Sequence, residues 1–561
     1  RSSPSSSMSW DPDSSAHATA SGRSSIVTRD ESRALHWLAV VSLLAFTALG
    51  LTRWPLFPVG IDPAYHLCIA RQMVEAGGVL AYEWWEAAPF GRSHLYPPLL
   101  HVLLAGFLKL GCPPITALRL LSAILIPAVM GSIYMVMRRL AGERVALACL
   151  WMAMMPFGWM LQLTEAMASG VALLELLWLV AALAARRGMA AACLLALMGY
   201  THLGLPWIAL AGLGWAAALG ALEPHRSLWR IMVAGLVLAG PWLWHLLHHV
   251  NDLQVVSRME NQSLELLPAL YGIAVVGAWA CWRPLDEGPG IAGGAPRAGS
   301  PRILLGLWLG SCLIAYPFTF RWLSGEGLLP TILLAGYGLG TLAHHLSQRW
   351  RWGGLKELGL VMFLSGAVLI SPSVVVDAGR WHWRWPDTAL FHLLNWPASQ
   401  PSVEETQLVN RDTEPLSRTV AAGTPPGAIV WSNAPYAGGL VAALAARATS
   451  SFMFEEVPPS RPVDPFAVAQ RLVWFKILPL PGTPALETMI RRYDLQLVAD
   501  TDLAMVFQNP HARELARHPR AIISWPPVFV LSCLLLGVVL WDFHPVRDTS
   551  ASRKRSHRND S

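Results

Sequence analysis

The chain has 561 residues, of which 54% are hydrophobic and only 14% charged, well below the quarter or so that soluble domains carry. So apolar a chain cannot cover one compact core with polar surface, which excludes an ordinary soluble domain and calls for lipid around much of it. Its net charge of +6 falls in short clusters between apolar stretches, the pattern that orients membrane proteins, and not in one basic stripe that would point to nucleic acid.

Residues 1–33 are rich in serine with scattered charge and read as a disordered tail. No short apolar stretch with a cleavage site appears, so the first helix, about 35–55, is expected to stay as an anchor. Further apolar spans fall near 115–137, 145–162, 167–185, 188–202, 205–221, 229–247, 264–281, 303–320, 326–345, 355–374 and 522–541. Several approach the roughly 20 residues that cross a bilayer. The pair about Tyr200-Thr201-His202 is shorter, and a re-entrant hairpin is an alternative there.

With the amino terminus in the cytoplasm and sides alternating, the following basic clusters all face inward: Arg138-Arg139 with Arg144, Arg186-Arg187, Arg226 with Arg230, Arg297 with Arg302, Arg349 to Lys356, and Arg553-Lys554-Arg555. Residues 56–113 and 375–520 then lie outside. Within the second segment, Ala428 to Trp431 reads as a buried strand, 436–446 as a helix, and Leu495–Val498 and Ala504–Phe507 as further strands. The expected fold is an α-helical polytopic membrane protein of about 12 transmembrane helices, with a small external α/β domain. Its parts are a cytoplasmic tail (1–33), a membrane domain (34–374), the external domain (375–520), a terminal helix (521–542) and a basic cytoplasmic tail (543–561). The cell membrane is the expected location. The seven cysteines lack CxxC spacing, which argues against a disulfide framework and a structural zinc site and leaves them as small apolar residues.

The most informative stretch runs from Gly60 to His101. Asp62 before Pro63 is a helix start, with a carboxylate cap and a proline in the first turn. Leu67, Ala70 and Val74 make one apolar stripe, and Gly77-Gly78 ends the helix. Such an amphipathic helix suits the membrane surface. His94 and His101 read as a loop and a helix-surface residue. Glu175 sits mid-helix, where a lone charge costs about 2.5–3.5 kcal/mol, so it needs a buried partner or a proton; His202 is the candidate neighbour.

The order Asp62-Pro63-x-Tyr65-His66, then Ala70-x-x-x-Val74-Glu75-x-Gly77-Gly78, Trp84-Trp85-Glu86, Gly91-Arg92 and Tyr96-Pro97-Pro98-Leu99 resembles the catalytic subunit of oligosaccharyltransferase, archaeal members most. That family belongs to the GT-C class, polytopic enzymes that use polyprenyl-(pyro)phosphate sugars on the non-cytoplasmic side. The resemblance implies that Asp62 is a ligand of a divalent metal. It pairs Glu165, in Gln162-Leu163-Thr164-Glu165-Ala166, with the glutamate of a D-N-E-A motif whose aspartate position here is Leu163. Glu260 corresponds to a glutamate that binds the acceptor amide, and Arg321 to an arginine on the donor phosphate. Each has a plainer alternative: a helix-start carboxylate for Glu165, a loop acid for Glu260 and a headgroup anchor for Arg321.

The chemistry suits those residue types. A sugar leaving on phosphate develops negative charge that a divalent cation and an arginine neutralise without proton transfer. Oxygen ligands favour Mg²⁺ or Mn²⁺, and His66, one turn from Asp62, is a further candidate ligand that would favour Mn²⁺. The expected partners are a polyprenyl-linked sugar donor, a protein or glycan acceptor and the bilayer, with no nucleic acid; the expected transfer is inverting. The family's acceptor signature WWDxG has only Ile429-Val430-Trp431-Ser432-Asn433 in its place, with one tryptophan and no aspartate. This keeps open a transferase that uses polyprenyl-monophosphate sugars on glycan, lipid or hydroxyl acceptors. A transporter or flippase is the non-enzyme alternative, disfavoured by the lack of inverted halves.

Overall fold

The computed structural model describes residues 29–53, 62–164, 167–222, 225–252, 264–282, 301–315, 325, 327–350, 352, 354–377, 380–395, 413–450, 464–476 and 485–543. From the amino end, α1 (Arg29–Thr52) leads to α2 (Asp62–Ala76), the short strands β1 (Gly78–Leu80), β2 (Tyr82–Glu83) and β3 (Arg92–Ser93), and α3 (Leu99–Lys109). A run of helices follows: α4 (Pro114–Ala141), α5 (Glu143–Ala153), α6 (Phe157–Thr164), α7 (Ala168–Ala184), α8 (Gly188–Thr201), α9 (Leu205–Ala218) and α10 (His225–His248). Strand β4 (Leu264–Leu266) precedes α11 (Pro268–Trp282), α12 (Arg302–Ala315), α13 (Leu328–Arg349) and α14 (Gly354–Leu369). The hairpin of β5 (Ser373–Asp377) and β6 (Arg380–Arg384) leads to α15 (Ala389–Asn395). Beyond it come β7 (Ile429–Ser432), α16 (Pro435–Ala445), β8 (Ala448–Thr449), α17 (Pro465–Val468), β9 (Arg471–Phe475) and α18 (Leu486–Tyr493). The chain then forms β10 (Gln496–Asp500), β11 (Ala504–Gln508), β12 (Ala521–Ser524) and α19 (Trp525–Phe543).

Each apolar stretch picked out in the sequence contains helix, but few of these helices are long. Among the described residues four are long and apolar enough to cross a membrane: α1, α4, α10 and α19. A fifth crossing results if α5 and α6 count as one, although they meet at 89°. Pro156 stands at that break, where it cannot continue α5. At 1.5 Å per residue, α8 and α9 each rise only about 21 Å against a hydrocarbon thickness near 30 Å. The bundle packs closely where side chains are smallest. A Cβ added to Gly277 of α11 would lie 1.9 Å from the Leu334 carbonyl oxygen of α13, so the two backbones touch there.

Two hydrophobic cores result. One lies among the helices; the other joins α2, α3 and the start of α4 to the C-terminal strands. Those strands form a five-stranded sheet in the order β10-β11-β9-β7-β8, with β7 parallel to β8 and β9, and β11 antiparallel to both its neighbours. Three of them, β7, β10 and β11, stand where the apolar pattern puts strands; β8 and β9 had no counterpart among the strands expected from the sequence.

Other pairings were not legible. Residues 264–266 do not open a helix; they pair with β5, and the helix begins at Pro268, a favoured residue for a first turn. Likewise β12, just before the terminal helix, pairs antiparallel with β1 beyond α2. Gly77 makes this possible: with φ at +75° it ends α2, and its carbonyl accepts from Trp525 N at 3.1 Å. Two more backbone bonds tie the first loop to the sheet, Thr449 N to Trp85 O at 2.7 Å and Ala88 N to Thr449 O at 2.9 Å.

Candidate active site

The first loop is organised around buried charge. Strands β2 and β3 pair Glu83 opposite Arg92. Gly91 permits that pairing: its φ is +69°, and a Cβ there would lie 2.2 Å from the Glu83 carbonyl oxygen. Arg92 Nε donates to Glu83 Oε2 at 2.9 Å and its Nη2 donates to Glu86 Oε2. Glu83 Oε1 also accepts from Tyr65 Oη at 2.7 Å and from His94 Nδ1 at 2.6 Å. All four of Glu83, Glu86, Arg92 and His94 are buried.

Burial alone would push Glu83 up, but Arg92 and the hydrogen bond from His94 outweigh it and hold the carboxyl well below its ordinary value, at about 2. Burial likewise works against the Arg92 charge, and Glu86 and Glu83 together outweigh that and raise it. The result is two carboxylates on one guanidinium, a network that stands only with every member in place.

A second layer consists of rings. His66 Nδ1 and His101 Nε2 lie 2.9 Å apart, and Tyr65 and Tyr96 pack edge-on against His101 and His66 respectively. Burial, reinforced by His202 and His94, lowers His66 to about 3. Burial and the two neighbouring imidazoles take His101 well below its usual value too. Both rings are therefore neutral near pH 7. Gln72 completes the frame, its Oε1 accepting from Trp84 N at 2.9 Å and Trp85 N at 3.1 Å.

Asp62 is the first residue of α2, half-buried and one helical turn before Tyr65 and His66. That position suits a carboxylate, since the helix start carries partial positive charge. Among the other residues singled out in the sequence, Glu165, Glu260 and Arg321 lie outside the described residues. His66 faces inward, with one nitrogen taken up by His101. His94 lies in a loop as read, and His101 is corrected: it is no helix-surface residue, for both rings are fully buried. The partner of Glu175 also differs from the expected His202. It is the adjacent Thr201, whose Oγ1 donates to Glu175 Oε1 at 2.9 Å.

Among the described residues no group of three histidine, cysteine, aspartate or glutamate side chains gathers as a metal site; Glu165, the second carboxylate that the resemblance names, lies outside them.

The stretch that stands in place of an acceptor motif is committed to backbone. Asn433 is buried; its Nδ2 donates to Phe475 O at 3.0 Å and its Oδ1 accepts from Phe475 N at 2.7 Å. Ser432 Oγ accepts from Ala434 N at 3.1 Å, and Trp431 packs on Phe466 with ring centres 4.5 Å apart.

No family model and no curated protein sequence matches the chain. Solved structures do. ArnT from Cupriavidus metallidurans bound to undecaprenyl phosphate is similar with a TM-score of 0.52 at 15% identity, covering 86% of this chain and 100% of that one. The apo oligosaccharyltransferase of Archaeoglobus fulgidus is similar with a TM-score of 0.50 at 10% identity, covering 78% of this chain and 69% of that one. Both are GT-C glycosyltransferases. At such identities the likeness is one of fold, and the fold is the one that the first-loop motif points to.

Proposed function

We propose that the protein is a membrane glycosyltransferase that moves a sugar or oligosaccharide from a polyprenyl-(pyro)phosphate donor to an acceptor at the face where the first loop lies. The observation that carries this reading is the first loop itself. In a GT-C-like fold, the motif from Asp62 to His101 folds around a paired, buried charge network that engages Tyr65 of α2, the helix that Asp62 opens. A preorganised carboxylate is what stabilisation of charge in a transition state requires. Asp62 and Glu165 are the proposed ligands of Mg²⁺ or Mn²⁺, with His66 as a further candidate, and the cation would neutralise the departing phosphate. Arg321 is proposed to bind that phosphate and Glu260 to face the acceptor, in an inverting transfer.

The test is Asp62→Ala in cells lacking the native gene. Transfer should stop while the protein is still made and inserted, and the polyprenyl-linked sugar should accumulate. Unchanged glycosylation would remove Asp62 from the chemistry. Undiminished turnover of purified protein in excess EDTA would remove the metal alone.

A second reading concerns the acceptor. The polar side chains of Ser432 and Asn433 are committed to backbone, which favours a glycan, lipid or hydroxyl acceptor over a sequon asparagine. With it goes a polyprenyl-monophosphate donor, in keeping with the undecaprenyl phosphate bound to ArnT. The mass of the accumulating lipid decides: a pyrophosphate oligosaccharide supports the first reading, a monophosphate monosaccharide the second.

A further inference from the structure

Strand β6 reads Arg380-Trp381-His382-Trp383-Arg384, and Trp385 follows directly. Strand alternation sets the three tryptophans on one face and Arg380, His382 and Arg384 on the other. The indoles are 71%, 68% and 67% exposed. Register extends their face, since Leu266, Val374 and Trp383 line up across β4, β5 and β6.

On the opposite face Arg380 and His382 are exposed, and the end at Ser373 and Arg384 is fastened inward. Ser373, paired with Arg384 across the hairpin, is buried and donates to Asp387 Oδ2. Asp387 Oδ1 lies 2.5 Å from His392 Nε2 in α15. The sheet thus has a built back and an apolar front.

The place of that front decides what meets it. The hairpin begins just after α14, whose exposed Met362 and Phe363 form an apolar stripe that runs on to Ile370. Trp385 Nε1 donates to the Ile370 carbonyl at 2.5 Å, so the indole face continues the apolar face of the helix. Arg53, at the end of α1, donates to the carbonyls of Leu393 and Leu394 in α15 at 2.8 and 2.9 Å. The hairpin is therefore level with the ends of two apolar helices, on the side where the chain enters α2.

We propose that the tryptophan face of this hairpin lies in the phospholipid headgroup layer, with its indoles at the acyl boundary and Arg380 at the lipid phosphates. An indole is apolar over most of its body and polar at one edge, which makes that boundary its favoured place, and a guanidinium matches phosphate oxygens. The anchor sets the height of the Asp62 side of the molecule above the bilayer, and it stands whatever reaction the site performs.

The test uses the full chain in nanodiscs of phosphatidylcholine and phosphatidylglycerol. Cys112, Cys312 and Cys533, the cysteines that are not buried, are replaced by serine, and a nitroxide is attached at Trp383→Cys. The control label is at Arg491→Cys, on an exposed face of α18. The label at 383 should collide with oxygen several-fold more, relative to a water-soluble nickel chelate, than the control does. Equal access to nickel at both positions would put the face in water and overturn the proposal. Closure to both reagents would mean that protein covers it, a second copy or another segment of this chain, and would overturn it too. Without any label, changing Trp381, Trp383 and Trp385 to leucine should reduce the share of tryptophan fluorescence quenched by brominated phosphatidylcholine. An unchanged share would count equally against it.

Discussion

Two stretches of the chain correspond in position to motifs of the same resembling family, and they are built in opposite ways. In the first loop, Glu83, Glu86, Arg92, His94 and Tyr65 bond side chain to side chain, and Asp62, half-buried, stands one turn before Tyr65 in α2. In the turn from β7 to α16, the side chains of Asn433 and Ser432 bond to the backbone of Phe475 and Ala434. The first arrangement concentrates charge and holds it in place; the second closes a turn onto a neighbouring strand. Buried charge thus belongs to the first loop, and the turn belongs to the sheet.

The largest effect that would sharpen this contrast is on turnover. Asp62→Ala should lower transfer at least about 100-fold, the scale seen when one preorganised electrostatic group is removed, with the melting temperature unchanged. Equal losses of activity and of stability would break the contrast by making Asp62 only a helix cap. Next comes Arg92→Leu, which leaves Glu83 and Glu86 buried without their cation. Breaking such a pair costs about 3–5 kcal/mol, visible as a lowered midpoint in detergent denaturation and as protease sensitivity between residues 78 and 98. A stable Arg92→Leu protein would mean that the network is not what holds the loop.

How far the sequence carried these conclusions depends on the range of the interactions. Helices and the strands at 429–432, 496–500 and 504–508 were legible because their apolar pattern is local. Pairing was not: β1 meets β12 across more than four hundred positions, and no local pattern encodes that. The apolar span at 145–162 read as one helix because hydropathy does not register the bend of 89° near Pro156. At the site, Glu86 and Arg92 stood in the recognised motif without a role. Their signal was the glycine before Arg92, which lets two opposite charges meet across a tight hairpin. His101 was misplaced because a lone histidine in an apolar helix gives no sign of which face is covered; only the fold shows what encloses it and His94.

Acid should separate the two regions further. The lowered value of His66, about 3, means that the folded loop refuses a proton which the opened loop accepts below its ordinary 6.5. The opened form therefore binds more protons between those values, and stability must fall as pH drops through that window, by about 1.4 kcal/mol per pH unit for one group. Glu83 works in a lower window. Its depressed value gives stability that is present above the ordinary carboxylate range and lost only as pH falls towards about 2. Melting scans from pH 7 to 4 should therefore show a decline that His66→Gln flattens. An identical slope in that variant would show that His66 does not sense the proton.

The smallest effect concerns the turn, and it is the one that tests whether the turn is merely structural. Asn433→Ala leaves the buried N–H and C=O of Phe475 without partners, a loss of about 1–3 kcal/mol for each group left unsatisfied. Because Asn433 is buried and faces β9, an acceptor has no direct path to it. The variant should melt earlier, yet the transfer rate per folded molecule and the half-saturating acceptor concentration should stay as they are. A raised half-saturating concentration with an unchanged melting point would mean the reverse: the turn would read the acceptor after all, and charge chemistry and acceptor recognition would be divided between the two regions.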